Sequence, residues 1–324
     1  MHTQTRQYKQ LTLGQRYQIQ ALLGQGHFQK DIAVAIGTSK ATLSRELSRN
    51  TAADGYCAET AHARTVNRRK SALKSSRFDE RQITDIKQGL QLGWSPENLS
   101  YRMKIETPDI AISHTTVYSR IAADKAQGGV LYKSLPRFGK SRWKGGKRKA
   151  GRSAIPDRVD ITKRPDVVDL RSRLGDWEGD TVYGQDAHLV TLVDRKSRLL
   201  LLGKTDSKHA DSVADVMINL LKRVSSVCTV TLDNGGEFAA HEKVSAAIDT
   251  DIYFARPYAS YQRGTNENTN GIIRRTWPKK MPLGHLTEAD LRTMEMLINT
   301  MPRKVLGGLT PLEVYTGQSI ALIA

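Results

Sequence analysis

Three acids stand where a carboxylate needs a reason. Asp233 ends the run Val227-Cys228-Thr229-Val230-Thr231-Leu232 and opens Asp233-Asn234-Gly235. Asp-Asn-Gly after β-branched residues ordinarily reads as a hairpin turn. The preceding run, however, is too evenly apolar for a solvated hairpin arm and fits a strand buried on both faces of a helix-covered sheet. A charge at the end of such a strand is costly unless it is paired or bound to metal. Asp180 lies in a second strand candidate, GDWEGDTVYG, and Glu267 in RGTNENTNGIIRRTW, which begins with turn residues and becomes helical. Brought together, three carboxylates would repel one another. Cations remove that cost, and hard oxygen ligands select Mg²⁺ or Mn²⁺. Two such ions can activate a water or a 3′-hydroxyl and stabilise the leaving oxygen of a phosphodiester. Asp176 and Glu178 share a strand face with Asp180, so spacing alone leaves open which acid serves.

The elements that must position these acids follow from a change of periodicity after residue 174. Strand candidates GDWEGDTVYG, AHLVTLVDR and SRLLLLGKT come first, then a helical SVADVMINLLKRV. The strand VCTVTL, a short helix EKVSAAI, the strand DIYFARP and the helix after Gly264 complete the series. Three strands, helix, strand, helix, strand, helix is the order of a ribonuclease H-like α/β sheet, with antiparallel hairpins first and crossovers later. In that topology Asp233 lies at the C-terminal end of a central strand, where α/β sheets place their chemistry. Asp180 lies on the adjacent strand, and Glu267 opens the helix beside both.

At 324 residues the chain has room for two or three domains, and 39% hydrophobic residues can build packed cores. No run of eighteen apolar residues occurs, and the start, MHTQTRQYKQ, lacks the apolar stretch of a signal peptide. Cys57 and Cys228 offer neither a metal cluster nor a disulfide framework. A cytosolic, soluble protein is expected. The net charge of +17 is unevenly placed: residues 1–150 hold 27 Lys and Arg against 11 Asp and Glu, residues 151–324 hold 23 against 22. A polyanion-binding half joined to a nearly neutral half is the natural reading. The stretch 133–149, KSLPRFGKSRWKGGKRK, carries eight basic residues and no acid, and reads as a flexible basic linker.

Within the basic half, residues 11–50 show three short helical patterns with a turn at Gly37, the signature of a helix-turn-helix. Ser39 is a good N-cap for the third helix, with Leu43 and Leu47 inward. Its outer face then shows Lys40, Thr42, Ser44, Arg45 and Arg49, residue types that hydrogen-bond bases and phosphates in a major groove. A looser second unit follows, with caps at Ser95 and Ser113. Val117, Tyr118 and Ile121 face inward in it, and His114, Thr115 and Arg120 remain for DNA. Arg64, Arg68, Arg69 and Lys70 belong to a basic helix or connector between the units. No HExxH, P-loop or glycine-rich nucleotide motif occurs, so no nucleotide cofactor is expected.

Trp177-Glu178-Gly179-Asp180, Asp233-Asn234-Gly235 and Gly264-Thr265-Asn266-Glu267-Asn268-Thr269-Asn270 together resemble the catalytic signature of DDE transposases and retroviral-type integrases. Thirty-three residues separate Asp233 from Glu267, close to that superfamily's spacing. The strings GDWEGDTVYG, PYASYQRGTNENTNGIIRR, MPRKVLGGLTPLEVY and LSRELSRN are similar to one branch, bacterial insertion-sequence transposases of the IS-thirty family. Tyr261 stands where Trp is expected in that branch and Met301 where Arg is usual. The resemblance implies a multidomain protein: helix-turn-helix units at 1–55 and 79–125, a basic connector at 56–78, and a basic flexible linker at 126–165. A ribonuclease H-like catalytic core with C-terminal helices would occupy 166–324. It assigns Asp180, Asp233 and Glu267 as catalytic residues and ligands of two Mg²⁺ ions, with Mn²⁺ as substitute. Arg256, Arg263, Arg274, Arg275, Lys279 and Lys280 would lie on phosphates of the cut strand. It further implies binding to double-stranded DNA (element inverted repeats and target), a homodimer or higher homo-oligomer, no membrane, and a bacterial cytoplasmic, nucleoid-associated location. The rival readings are a DNA-binding regulator with an idle nuclease-like domain, and a structure-selective DNA nuclease.

Overall fold

Ser39, Ser95 and Ser113 each accept a hydrogen bond from the backbone N–H three residues on, satisfying a donor that the first helical turn leaves orphaned. The helices therefore start where the sequence places their caps. The structure, a computed structural model, describes residues 10–71, 80–136, 138–139, 155–256 and 264–322. It divides into two compact units, 1–77 and 78–324.

The first unit holds α1 (Leu13–Gly24), α2 (Gln29–Ala35), α3 (Lys40–Asn50) and α4 (Ala58–Ser71). Ile19, Ile32, Ala33, Ile36, Leu43 and Leu47 form its core. Gly37 takes φ +66°, the left-handed conformation that the turn before α3 requires. The expected connector is helical as far as Ser71 and packs on this unit. Ala58 and Ala61 of α4 are fully buried. Arg16, 3% exposed, pairs with Glu46 of α3 at 2.7 Å and donates to Thr65 of α4 at 3.3 Å.

The second unit begins with α5 (Glu80–Gln91), α6 (Pro96–Glu106) and α7 (His114–Ala126). There follow β1 (Val159–Asp160), α8 (Val167–Leu170), β2 (Asp176–Tyr183), β3 (His188–Asp194), β4 (Leu200–Thr205) and α9 (Ala210–Leu221). The chain continues through β5 (Thr229–Leu232), α10 (His241–Ile248), β6 (Asp251–Phe254), α11 (Gly264–Thr276), α12 (Glu288–Asn299) and α13 (Pro311–Thr316). One mixed sheet runs β1-β6-β5-β2-β3-β4. β2, β3 and β4 are antiparallel neighbours, while β2, β5, β6 and β1 are parallel. This is the ribonuclease H-like order expected from the sequence, with β1 added at the edge.

Both faces of the sheet are covered, as its apolar strands demand. On one face Val190, Leu192, Leu201, Val230 and Leu232 pack with Val213, Met217 and Leu221 of α9. On the other, Val182, Leu189, Val193 and Leu202 meet Ile273 of α11 and Leu291 and Ile298 of α12. That second cluster continues without a break into Ile86, Leu90, Trp94, Leu99, Met103, Val117 and Ile121 of α5–α7. The helices read as a second helix-turn-helix unit at 79–125 share the core of the sheet. Arg102 of α6, fully buried, explains the tie: it donates to both carboxylate oxygens of Glu313 on α13, at 2.7 and 3.0 Å, and to Glu106 at 2.7 Å. Burial alone would raise the Glu313 carboxyl. The bonds from Arg102 and from the N–H groups of Ile320 and Thr310 outweigh it and hold the group below its ordinary value.

Two further expectations change. Parts of the stretch 126–165 are ordered rather than linker: Leu131, Tyr132 and Leu135 pack on the core, and Ile155 and Ile161 are buried. Its basic centre, 140–154, lies outside the described residues, as do Tyr261 and Arg263. Tyr118, expected inward, is 41% exposed because Val117 and Ile121 take the buried face of α7. No helix among the described residues is long and apolar enough to cross a membrane.

Candidate active site

The register of two strands sets the geometry. β2 and β5 pair in parallel with Asp176 opposite Thr229, Trp177 opposite Val230 and Glu178 opposite Thr231. Carried two residues further, the same offset brings Asp180 level with Asp233, on strands about 4.8 Å apart. Gly179 lets them approach. A Cβ there would come within 2.5 Å of a Leu232 methyl, so a larger residue would force Leu232 to move. Asp233 accepts the Gly235 N–H at 2.9 Å, and the Asn234 amide donates to the Ala255 carbonyl at 2.6 Å. These bonds close the turn that ends β5 and tie it to the end of β6.

α11 approaches the same edge. Asn266, fully buried, donates its N–H to the Glu178 carboxylate at 3.0 Å and its amide to the Glu178 carbonyl at 2.8 Å. Asn270, one turn later, donates to the Asp180 carboxylate at 3.0 Å; the other oxygen of Asp180 accepts the Thr181 N–H at 2.8 Å. Glu267 lies between these two asparagines on the helix and is exposed. The sequence reading missed Asn266 and Asn270 as the residues that seat the helix. The signal was the repeated asparagine in Asn266-Glu267-Asn268-Thr269-Asn270, too much amide for capping alone.

The neighbouring acids are committed elsewhere. Asp176, fully buried, accepts both Arg173 nitrogens at 3.0 Å and the Thr229 hydroxyl at 2.8 Å. Glu178, fully buried, pairs with Arg195 at 2.6 Å. Glu237 accepts the Thr181 hydroxyl at 2.9 Å and the Tyr183 hydroxyl. Burial first, then this bond to Glu237, push the Tyr183 phenol above its usual range.

Among the described residues, no three His, Cys, Asp or Glu side chains already form a group able to hold a metal ion. The donors nevertheless fit a hard cation. Mg²⁺ is commonly bound by one or two carboxylates, with waters and substrate phosphate oxygens completing its octahedron. The level pair Asp180 and Asp233, with Glu267 on the adjoining helix, offers oxygen ligands of that type.

The candidate DNA residues fall into three places. Lys40, Ser44, Arg45 and Arg49 are exposed on α3, and Thr42 is half-buried beside the Ser39 cap. A cleft of about 500 Å³ there is lined by Thr42, Arg45, Arg49, Arg68 and Arg69, so α4 contributes cations the sequence had placed in a connector. In the second unit His114 and Thr115 are exposed at the start of α7, and Arg120 is half-buried. Arg274 donates to the Tyr183 carbonyl at 2.6 Å, and Arg275 to the Gly93 carbonyl at 3.3 Å. Burial lowers both guanidinium values. Each thus spends part of its donor set on the fold.

A helical unit with a capped, cation-bearing third helix and a ribonuclease H-like sheet with acids at its edge together define a DNA-acting enzyme of the integrase class. Residues 7–50 match the helix-turn-helix domain family, and residues 172–260 match the integrase core domain family. The transposase for insertion sequence element IS4351 of Bacteroides fragilis is 38% identical over 95% of each chain. The transposase InsI for IS30A of Escherichia coli is 33% identical over 97% of this chain and 85% of its own. The transposase for IS1086 of Cupriavidus metallidurans is 34% identical over 95% and 94%. Among solved structures, the catalytic core domain of BIV integrase is 22% identical over 44% of this chain and 94% of its own, with a TM-score of 0.35, too low a likeness to carry weight. The chain belongs to the IS30 family of insertion-sequence transposases.

Proposed function

We propose that this transposase binds the terminal inverted repeats of its own element through the α1–α4 unit and cuts and joins DNA at the Asp180–Asp233 edge. The observation that supports the assignment is the β2–β5 register, with Asp176 and Glu178 opposite Thr229 and Thr231; continued two residues, it would set Asp180 level with Asp233. Two Mg²⁺ ions, or Mn²⁺ in their place, held by Asp180, Asp233 and Glu267 would supply the Lewis acidity for in-line phosphoryl transfer. The chain's own residues do the positioning. Asn270 holds one oxygen of Asp180 and the Thr181 N–H holds the other, fixing the carboxylate's rotation. Asn266 holds the first turn of α11, and with it Glu267, against β2. Water attacks first to free a 3′-hydroxyl, and that hydroxyl then attacks a second phosphodiester. No side chain forms a covalent bond to DNA.

On α3, Lys40, Thr42, Ser44, Arg45 and Arg49 enter the major groove, with Arg68 and Arg69 of α4 on the flanking phosphates. His114, Thr115 and Arg120 form a second contact, and Arg263, Arg274 and Arg275 lie along the cut strand. A homodimer or larger homo-oligomer brings two element ends together. Supplying the protein with flanking element DNA and Mg²⁺, then mapping products, tests the reading. Strand-specific nicks at the element ends followed by joined products support it. Binding without any cut would point to a regulator, and cuts at branched DNA without joining would point to a structure-selective nuclease.

A further inference from the structure

The α11 N-terminus borders a second feature, a cleft of about 290 Å³ lined by Arg171, Arg198 and Arg303 together with Thr265 and Asn268. Arg303 is only 8% exposed, and its Nε has no hydrogen-bond partner among the described residues. The Nε of Arg198 is likewise buried and unpartnered there. None of the three arginines has an ion-pair partner among the described residues; the nearby Asp169 and Glu178 are taken by Arg164 and Arg195. Burial, with the cations of Arg275 and Arg198, lowers Arg303 to about 10, so it still carries its charge at neutral pH. Arg171 and Arg198 also sit at φ +54° and +67°, a backbone region that side-chain-bearing residues avoid.

Buried cations without anions are unfavourable in the isolated protein. Here one buried arginine, Arg303, and two half-buried ones, Arg171 and Arg198, line a cleft at the positive end of a thirteen-residue helix. The Arg303 and Arg198 Nε–H groups are donors without a partner among the described residues, and a second Arg198 nitrogen already donates to the Thr265 hydroxyl at the edge of the cleft. We infer that this cleft is a phosphate site, filled by a backbone phosphate of the DNA strand close to the one being cut. The inference rests on the proposed catalytic assignment for its location: Asn268, which lines the cleft, directly follows Glu267. The occupied phosphate would neutralise the arginines and fix the strand's register against the acids, making Arg171, Arg198 and Arg303 positioning residues.

Two measurements on the full chain test this. In the first, element-end duplexes carry a single neutral methylphosphonate at successive positions around the cleavage site. Wild-type cleavage should fall roughly tenfold to a hundredfold at one position beside the scissile phosphate, the loss expected for a charge-assisted bond. In Arg198→Gln and Arg171→Gln, cleavage should be weaker overall and indifferent to methylphosphonate at that same position. Undiminished sensitivity there in both variants overturns the inference. The second measurement needs no catalysis: melting of the protein in inorganic phosphate against chloride at equal ionic strength. Phosphate should raise the wild-type melting temperature, and Arg198→Gln and Arg171→Gln should lose most of that rise. Arg292→Gln, an exposed arginine paired with Glu288, should keep it. No rise in wild type, or a full rise in both pocket variants, refutes the site. Arg303→Met should melt no lower than wild type in chloride; a large loss would make Arg303 a structural residue. Absence of wild-type cleavage on every duplex would refute the catalytic assignment instead, and the melting arm would still decide the cleft.

Discussion

Replacing Glu178 with Gln separates the acid that holds the fold from the acid that faces the chemistry. Glu178 is fully buried, pairs with Arg195 at 2.6 Å and accepts the Asn266 N–H at 3.0 Å. Arg195, 3% exposed, also reaches the solvent-facing Asp169 at 3.2 Å. Neutralising Glu178 removes a buried counter-charge from that guanidinium, and breaking one side of a buried pair costs about 3–5 kcal/mol. Gln keeps an oxygen for the Asn266 N–H, so the helix seat is only weakened and the lower end of that range, about 3 kcal/mol, is expected. For a unit of this size each kcal/mol moves the midpoint about 2–4 °C, giving a drop of roughly 6–12 °C in a calorimetric scan. Cleavage assayed well below the new midpoint should persist at a reduced rate. An unchanged midpoint together with abolished cleavage would refute the reasoning. It would make Glu178 rather than Asp180 the functional acid, with the site displaced by one pleat repeat.

Three further outcomes follow from the same packing. Gly179→Ala should destabilise the second unit by about 1–3 kcal/mol, because the new methyl meets Leu232 at 2.5 Å; a melting curve within error of wild type would contradict the close approach of β5. The Glu313 carboxyl is held below its ordinary 4.5, so its contribution to stability is full above pH 4.5 and is lost as pH falls through the lower, folded value. Melting between pH 6 and 3 should therefore decline less steeply in Glu313→Gln than in wild type, from a lower starting point; parallel curves would exclude Glu313 as a source of acid sensitivity. Arg45→Ala or Arg49→Ala should weaken binding to element ends by about 1–3 kcal/mol, with Arg68→Ala and Arg69→Ala lowering the salt dependence instead. Binding that none of the four changes, measured by titration at two salt concentrations, would move the DNA interface off α3 and α4.

Local chemistry made much of this legible beforehand. The apolar run ending at Asp233 required a covered sheet, and the strand order placed β2 beside it; the observed β2–β5 pairing runs to Glu178 opposite Thr231, two residues short of Asp180 and Asp233. Serine caps located three helices because an N-cap bond spans only three residues. What escaped was set by contacts distant in sequence. Nothing near Arg102 announces Glu313, 211 positions away, so α5–α7 read as a separate unit rather than as part of the sheet's core. Asp176, Glu178 and Asp180 are indistinguishable on one strand face until Arg173, Arg195 and Asn270 are in place. Nothing in the sequence singles out Arg171, Arg198 and Arg303, because a sequence carries charge without depth.

The central claim is that Asp180, Asp233 and Glu267 perform the chemistry. Asp180→Asn, Asp233→Asn and Glu267→Gln, each assayed with Mg²⁺ for nicking of element ends and for joining of a supplied 3′-hydroxyl end, address it directly. Loss of both steps by several orders of magnitude is expected in all three variants, with inverted-repeat binding and the melting midpoint close to wild type. Retained nicking or joining by any one of them, in a folded protein, would contradict the assignment.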